Sequence, residues 1–445
     1  MPSRPATIFI ALWAYLHTLQ YGFHISALNG LQSPLTCDIA GGAPTGGHLA
    51  PPHTSSWHLQ SCVPMTASYF GLVVAIFTLG GLAGSLSADI VTRSLGRIRT
   101  LQVSSASVLL GSAAVGVANT PTAMIFGRVI LGFGCGLATV TVPLYLAELV
   151  PSLRGVMGIL NQLSIVFGLL LGQSLAFPFA KAFTWRYTMV VAIGIAALQF
   201  LAGFVVPMTG KSEIASVDSG NLDEEAPLLR ALDEQPLSLK GALTSRNKLV
   251  RRGLFLVIVT QLAQQLCGIS PVMYFSTRIL APVFQANSKY IALGIIITKV
   301  PMTLVPALIV QRVGSKAILL GSSGTMAISA IFLAIGINNN ISLLSIIAII
   351  TFVSAFSVGL GPVTWAVLSE VMPPHARTGA GSIGLGLNWT FNFIMGSSFL
   401  PLQQLLKTGP TAGEGNIFFG FAATCLISFI AIKLSYDALE RVATS

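Results

Sequence analysis

The sequence predicts an all-α membrane protein with twelve transmembrane helices in two pseudo-symmetric six-helix lobes. Three observations carry this. Hydrophobic residues make up 53% of the 445 and charged residues only 9%, against roughly 25% charged in a soluble domain. Apolar stretches recur twelve times, each long enough for a hydrocarbon core of about 30 Å, which takes around 20 residues to cross. The chain also repeats itself at about half its length. Glu148-Leu149-Val150-Pro151-Ser152-Leu153-Arg154-Gly155 is echoed, 222 residues later, by Glu370-Val371-Met372-Pro373-Pro374-His375-Ala376-Arg377, and Leu95-Gly96-Arg97 by Val313-Gly314-Ser315-Lys316.

In chain order, the spans begin near Thr7, Met65, Leu101, Pro121, Val156, Trp185, Arg252, Tyr290, Ala317, Ile341, Thr378 and Gly415. Six precede the one long polar stretch and six follow it. The chain therefore divides into residues 1–207, a linker with short helices at 208–250, and 251–445. The first span, Ile8 to Leu28, is too long for a signal peptide and has no small-residue cleavage site, so it is read as a retained helix. Duplicated halves with charged clusters between apolar spans imply a two-lobed carrier with its binding site at the repeat interface.

Basic residues orient the chain. With both termini cytoplasmic, only Lys181, Arg186, Arg278, Lys289 and Lys407 of the 24 Lys and Arg fall outside, and Arg128 and Lys299 fall within spans. The other 17 lie inside, as the positive-inside rule expects. The same distribution accounts for the net charge of +10 without nucleic acid, since no basic amphipathic face exists. The partners implied are the lipid bilayer and a small ligand.

Two loops stand apart. Gln32 to Pro64 is polar, falls on the outer or lumenal side, and holds Cys37 and Cys62. These either bridge, as an oxidising compartment allows, or remain two free thiols. The linker contains Glu224-Glu225-Ala226-Pro227-Leu228-Leu229, an acidic dileucine pattern, through Glu224, Leu228 and Leu229, that sorting adaptors read. It leaves the plasma membrane and a vacuolar or lysosomal membrane both open as destinations.

Ionisable residues inside apolar spans are expensive and mark functional sites. Arg128 opens the fourth span and is read as an inter-helix gate at the cytoplasmic mouth. Glu148 and Glu370 end the fourth and tenth spans near Arg154 and Arg377, where salt bridges could hold the lobes shut and part to open the site. Lys299 in the eighth span either snorkels or faces the cavity. The densest polar cluster is Gln261, Gln264 and Gln265 in the seventh span, on one face at i, i+3 and i+4. Amides both donate and accept, which suits an uncharged ligand covered in hydroxyls. Gly268 and Pro271 are expected to break the helix just beyond, as discontinuous helices do at transport sites. Asn161, Gln162 and Gln173 in the fifth span, Trp365 in the tenth, and Asn388 and Trp389 in the eleventh add amides and aromatic faces. Nothing resembles a metal site, a cofactor cradle or a nucleophile–base pair, so no enzyme and no cofactor is expected.

At these residues the chain resembles the sugar porter family of the major facilitator superfamily, the group that includes the animal facilitative glucose transporters and fungal hexose transporters. The resemblance runs through Gln-Leu-x-Gln-Gln-x-x-Gly-Ile (Gln261 to Ile269) with Tyr274-Phe275-Ser276, Tyr145-Leu146-Ala147-Glu148, Arg154-Gly155, Gly359-Leu360-Gly361-Pro362 with Trp365, and Asn388-Trp389-Thr390. It covers nearly the whole chain and implies a major facilitator fold and a monosaccharide substrate, moved by rocker-switch alternating access. It further implies that Gln162, Gln261, Gln264, Gln265, Trp365 and Asn388 contact sugar, with Ser270 beside them. Tyr274 would gate the outer side, and Arg93, Arg97, Glu148, Arg154, Arg312, Glu370 and Arg377 would form the cytoplasmic charge network.

The departures are specific. Ser270 and Ile297 replace two asparagines common in the family, and Ser357 replaces a frequent glutamate. The loop motif from Asp89 to Arg97 lacks its usual Asp-Arg pair, and the Pro-Glu-Ser-Pro-Arg signature is missing after Pro207. His24 stands where proton-coupled relatives hold aspartate and facilitators hold asparagine. Because histidine titrates near neutrality, His24 beside Arg128 either handles a proton or only hydrogen-bonds. Facilitated diffusion of a hexose is the reading taken. The alternatives are a proton-coupled sugar or polyol/inositol symporter, or a non-transporting sugar sensor.

Overall fold

In the computed structural model the described residues are 4–37, 54, 59–150, 153–206, 239–409 and 413–443. The sorting pattern at Glu224, Leu228 and Leu229 lies outside them. Among the described residues twelve rods run alternately up and down. The first half supplies α1 (Arg4–Ser26), α2 (Ala67–Leu95), α3 (Arg97–Val117), α4 (Pro121–Leu149), α5 (Arg154–Ser174) and α6 (Arg186–Ala202). In the second half three rods are broken. These are α7 (Lys248–Leu266) with α8 (Ile269–Phe284), α9 (Ser288–Met302) with α10 (Val305–Val313), and α12 (Ser342–Val358) with α13 (Val363–Val371). The others, α11 (Ser315–Asn338), α14 (Pro374–Leu405) and α15 (Asn416–Ala443), are continuous.

Nine helical stretches of the described residues are long and apolar enough to cross a membrane, and α6 is a shorter apolar helix. The remaining two rods, α1 and α14, are diluted by His17, Gln20 and His24 and by Asn388, Asn392 and Gln403. Starts are chemically marked. Thr66 accepts from Tyr69 N at the head of α2, Thr120 from Ala123 N at the head of α4 with Pro121 following, and Asn247 from Leu249 N at the head of α7. Each satisfies a helix N–H that has no partner within the helix.

The duplication reappears as packing. In the first half α1 lies on α5, α2 and α3 on α4, and α3 on α6. In the second half α7 lies on α14, α9 and α11 on α12, and α11 on α15. The two lobes meet along α2–α14 and α5–α9, the equivalent pairs under the repeat. Apolar residues such as Leu110, Phe126, Leu201, Phe204, Leu308, Leu343, Ile427 and Leu434 point outward, a lipid-facing surface rather than an aqueous one.

The α2–α4 crossing shows why small residues recur. A Cβ on Gly80 or Gly84 would lie about 2 Å from the carbonyl oxygens of Val129 and Phe133, and one on Gly132 or Gly136 as close to those of Phe77 and Gly81. With little hydrophobic driving force between helices in lipid, such close backbone approach supplies the association.

One end of the bundle, the disulfide end, is closed by the bonded pair Cys37–Cys62. There Val63 N donates to Leu35 O, and Arg186 donates to the carbonyls of Ala118 and Gln60 while lying over the Trp185 ring. The opposite end, the linker end, carries ion pairs within each lobe. Arg97 pairs with Glu148 at 2.8 Å, and Lys316 with Asp437 at 2.8 Å and Glu440 at 2.9 Å.

Candidate functional site

The site grows from the broken helices. Gly268 has φ +89°, and a Cβ there would lie 2.6 Å from the Phe421 ring, so only glycine supplies this left-handed turn without strain. Pro271 does not break the rod. It sits in the first turn of α8, where its missing N–H has no helical partner to lose. The break between α12 and α13 at Gly359 to Pro362 takes the Leu360 and Gly361 carbonyls out of the helical ladder; Thr364 Oγ1 donates to Leu360 O at 2.7 Å, and α7 supplies a partner to both. Gln264 Nε2 donates to Leu360 O at 2.8 Å and Gly361 O at 2.6 Å.

Around that contact the amides assemble. Asn388 Nδ2 of α14 donates to Gln261 Oε1 at 2.9 Å and to Gln264 Oε1. Gln265 Oε1 accepts from Ser270 Oγ at 2.8 Å across the break. Gln261 Nε2 is buried and unpartnered, and a buried donor left unmade costs roughly 1–3 kcal/mol. The α7 stripe therefore joins α14 and the unwound segment in one network. Gln162 of α5 faces it from the other lobe, across a small cavity it lines with Lys299, Thr303, Phe356, Ser357, Gly361 and Pro362.

The aromatic residues divide. Trp365 is exposed on α13. Trp389 is buried, its ring where a Cβ on Gly81 would fall and 5.7 Å from the Tyr21 ring, so it fills the α2–α14 seam. Tyr274 is buried and donates from its hydroxyl to Asn392 Oδ1 at 2.8 Å, and Phe275 beside it leaves helical geometry at φ −132°, ψ 18°.

The lobes are tied together at the disulfide end. Asn29 Nδ2 donates to Gln173 Oε1 (2.9 Å), Ser276 Oγ (2.7 Å) and Met273 O (3.4 Å), and its Oδ1 accepts from Thr277 N (3.2 Å). Gln173 Nε2 adds a bond to Thr277 Oγ1 at 3.3 Å.

Arg128 is not at the linker-end mouth. The α4 rod runs from the disulfide end to Glu148, so the 20 residues between them set Arg128 about 30 Å away at 1.5 Å per residue. It is buried, over the Phe77 ring, and donates to the carbonyls of His24 (3.1 Å), Val73 (3.3 Å) and Val74 (3.0 Å). It therefore ties α4 to α1 and α2. His24 is fully buried; its Nε2 lies 3.4 Å from Ser112 Oγ, and its Nδ1 is unpartnered.

The expected charge network is joined only within lobes by the described side chains. Arg97 meets Glu148, Arg93 pairs with Asp89 one turn back on its own helix, and Arg377 donates to Met372 O. Arg312 and Glu370 are exposed, and the side chain of Arg154 is outside the description. Lys316, Asp437 and Glu440 were not singled out by sequence, although Lys316 stands where the repeat places Arg97. Asn29 and Asn392 were also missed. Each is a single polar residue without a motif, and only the fold shows what it meets.

Two six-helix lobes meeting at a polar seam, with helices broken beside it, are the build of a major facilitator carrier. The profile of the sugar (and other) transporter family matches residues 10–436. The chain belongs to that family, whose members are transporters. It is 31% identical to human solute carrier family 2, facilitated glucose transporter member 4, over 95% of this chain and 86% of the relative. It is 28% identical to a probable metabolite transport protein of Saccharomyces cerevisiae, over 92% and 88%. Among solved structures, a D-xylose-proton symporter superposes with a TM-score of 0.74 at 19% identity, covering 96% of this chain and 97% of that one. The partially occluded inward-open conformation of the xylose transporter XylE from E. coli gives 0.70 at 20%, covering 95% and 98%.

Proposed function

We propose that this protein moves a hexose-sized sugar across a membrane by facilitated diffusion, through rocking of residues 1–207 against 251–445, with 208–250 as the linker between them. The observation that carries this reading is the amide network of Gln261, Gln264, Gln265 and Asn388, fixed to the unwound Leu360–Gly361 carbonyls. A row of amides able to donate and accept matches the hydroxyl edge of a sugar ring. Gln162 and Trp365 complete the contact, and Ser270 holds Gln265 in register. Named relatives that carry glucose or xylose add to it.

By the basic-residue count the linker end faces the cytoplasm with both termini, and the disulfide end faces outside or a lumen. The Asn29–Gln173–Ser276–Thr277 contacts, with Tyr274 behind them, then form the outer gate in its shut state. The linker-end arginines and glutamates would lock the opposite state. Sorting adaptors reading Glu224, Leu228 and Leu229 would direct the protein to a vacuolar or lysosomal membrane rather than the plasma membrane.

Proton coupling keeps one observation, the unpartnered Nδ1 of buried His24. The test of both is uptake of labelled hexoses and polyols into liposomes holding the purified protein, with and without a pH gradient. Facilitated diffusion requires equal plateau uptake in both conditions and an unchanged pH profile in His24→Asn. Accumulation above equilibrium only with the gradient establishes symport, and no uptake of any sugar removes the carrier reading.

A further inference from the structure

Lys299 is the buried charge that the sugar reading leaves unexplained. It lies in α9 just before the rod breaks at Thr303, and its residue is only 8% exposed. Among the described residues its Nζ meets no carboxylate. The nearest recorded partners are Met273 Sδ at 3.9 Å and the face of Phe356 at 5.5 Å, neither of which neutralises an ammonium ion.

Among the described residues no carboxylate is free to pair with it. Of the 14 acidic residues, eight lie outside the described residues, in the 38–53 loop and the 207–238 linker. The other six are Asp89, Glu148, Glu370, Glu414, Asp437 and Glu440. Five of these are committed to Arg93, Arg97, Lys407 and Lys316, and Glu370 is exposed at the linker end. Among the described residues no acidic side chain stands in the middle of a membrane-spanning helix. Arg128, the other embedded cation, is already held by three backbone carbonyls.

A charge taken out of water and left unpaired is strongly disfavoured, so buried ions pair. Here the position that lacks a partner is also a wall of the inter-lobe cavity, with Gln162, Thr303 and Ser357 around it. The same cavity is bounded by Gly361, whose carbonyl accepts from Gln264. Gly361 therefore joins the wall of the cation's cavity to the amide network.

We infer that the carried sugar is an acid: a polyhydroxylated ring or chain bearing one carboxylate, such as a hexuronate or an aldonate, with Lys299 as its counter-ion. This rests on the sugar-carrier reading and narrows its substrate. A single ammonium matches a single carboxylate. A phosphate dianion would bring a second charge into a low-dielectric seam with no second cation beside it. The amides bind the hydroxyls, and Gln162 and Lys299 bring both lobes to the ligand, so its arrival favours their closure.

The experiment is uptake into liposomes of labelled D-glucuronate, D-gluconate, D-glucose, D-glucose 6-phosphate and lactate, by wild type, Lys299→Met and Lys299→Arg. Stabilisation of each purified protein against heat by the same compounds accompanies it. The expected result is sugar-acid uptake exceeding glucose uptake in wild type. Lys299→Met loses sugar-acid transport by at least about thirtyfold, the lower range for deleting one member of a buried ion pair, and keeps or gains glucose transport. Lys299→Arg retains a sugar-acid preference. Glucose transport with no uptake of, or competition by, either sugar acid overturns the inference while leaving the carrier reading intact. So does Lys299→Met with an unchanged substrate preference. Lactate or glucose 6-phosphate matching glucuronate overturns the sugar-acid assignment. Failure of every sugar and sugar acid to bind or move overturns the carrier reading itself. Should the variants not fold, competition between glucose and glucuronate in wild type decides alone.

Discussion

Replacing Asn29 by Ala should shift the balance between the two ends of the transport cycle. Asn29 spans the lobes through Ser276 Oγ at 2.7 Å and Thr277 N at 3.2 Å, with a longer contact to Met273 O at 3.4 Å. Its bond to Gln173 stays within the first lobe and also positions Gln173 against Thr277. The substitution therefore removes two good inter-lobe bonds and loosens a third. Each bond contributes about 0.5–1.5 kcal/mol net, and inter-helix bonds in membranes average about 0.6 kcal/mol. The disulfide-end-closed state should lose about 1–3 kcal/mol, which is about a 5- to 150-fold change in the equilibrium. Spin labels at Lys181→Cys and Leu405→Cys, one on each lobe at this end, report the population by their distance distribution. Wild type should show mainly the short distance and Asn29→Ala a raised fraction of the long one. A distribution unchanged by the substitution would refute the claim that these bonds hold the end shut.

Other substitutions probe the site and its scaffold. Gln264→Ala leaves the Gly361 carbonyl without its partner and takes one of two bonds from both Leu360 O and Asn388, so the KM for transported sugar should rise about 5- to 150-fold, from about 1–3 kcal/mol of lost pairing. Liposome uptake kinetics measure this. Gly268→Ala places a Cβ against Phe421 at a positive φ. A left-handed non-glycine residue alone costs about 1–2 kcal/mol, so the midpoint of heat inactivation should fall. Cys37→Ser opens a loop of 25 residues' separation and should destabilise the protein by about 3.5 kcal/mol in the chain-entropy account. A reducing agent should reproduce the loss in wild type and have no further effect in the variant.

The packing repeats between the two halves, and that repeat is legible in the sequence because lipid imposes it. Twelve long apolar stretches can be satisfied only as helices, and the echo of Glu148 at Glu370 already divides them into two sets of six. The stripe of Gln261, Gln264 and Gln265 was legible for the same reason, since helical periodicity alone sets one face. The break at Gly268 was legible from its neighbourhood. The breaks within the eighth and tenth spans were not, because apolar runs continue through them and only contact with facing helices shows where the backbone unwinds.

What the sequence by itself determined is the set of local costs: which segments must lie in lipid, which residues are too polar to face it, and how few charges are embedded there. The tertiary structure decided which of those polar residues meet. It sent Arg128 to three carbonyls at the disulfide end, bound Asn388 to two glutamines, set Asn29 across the lobes, and placed Lys299 in the inter-lobe cavity with no acid beside it among the described residues. These are contacts between residues tens to hundreds of positions apart. Helical period and hydropathy report only near neighbours along the chain, so such pairings are fixed only when the two lobes pack together.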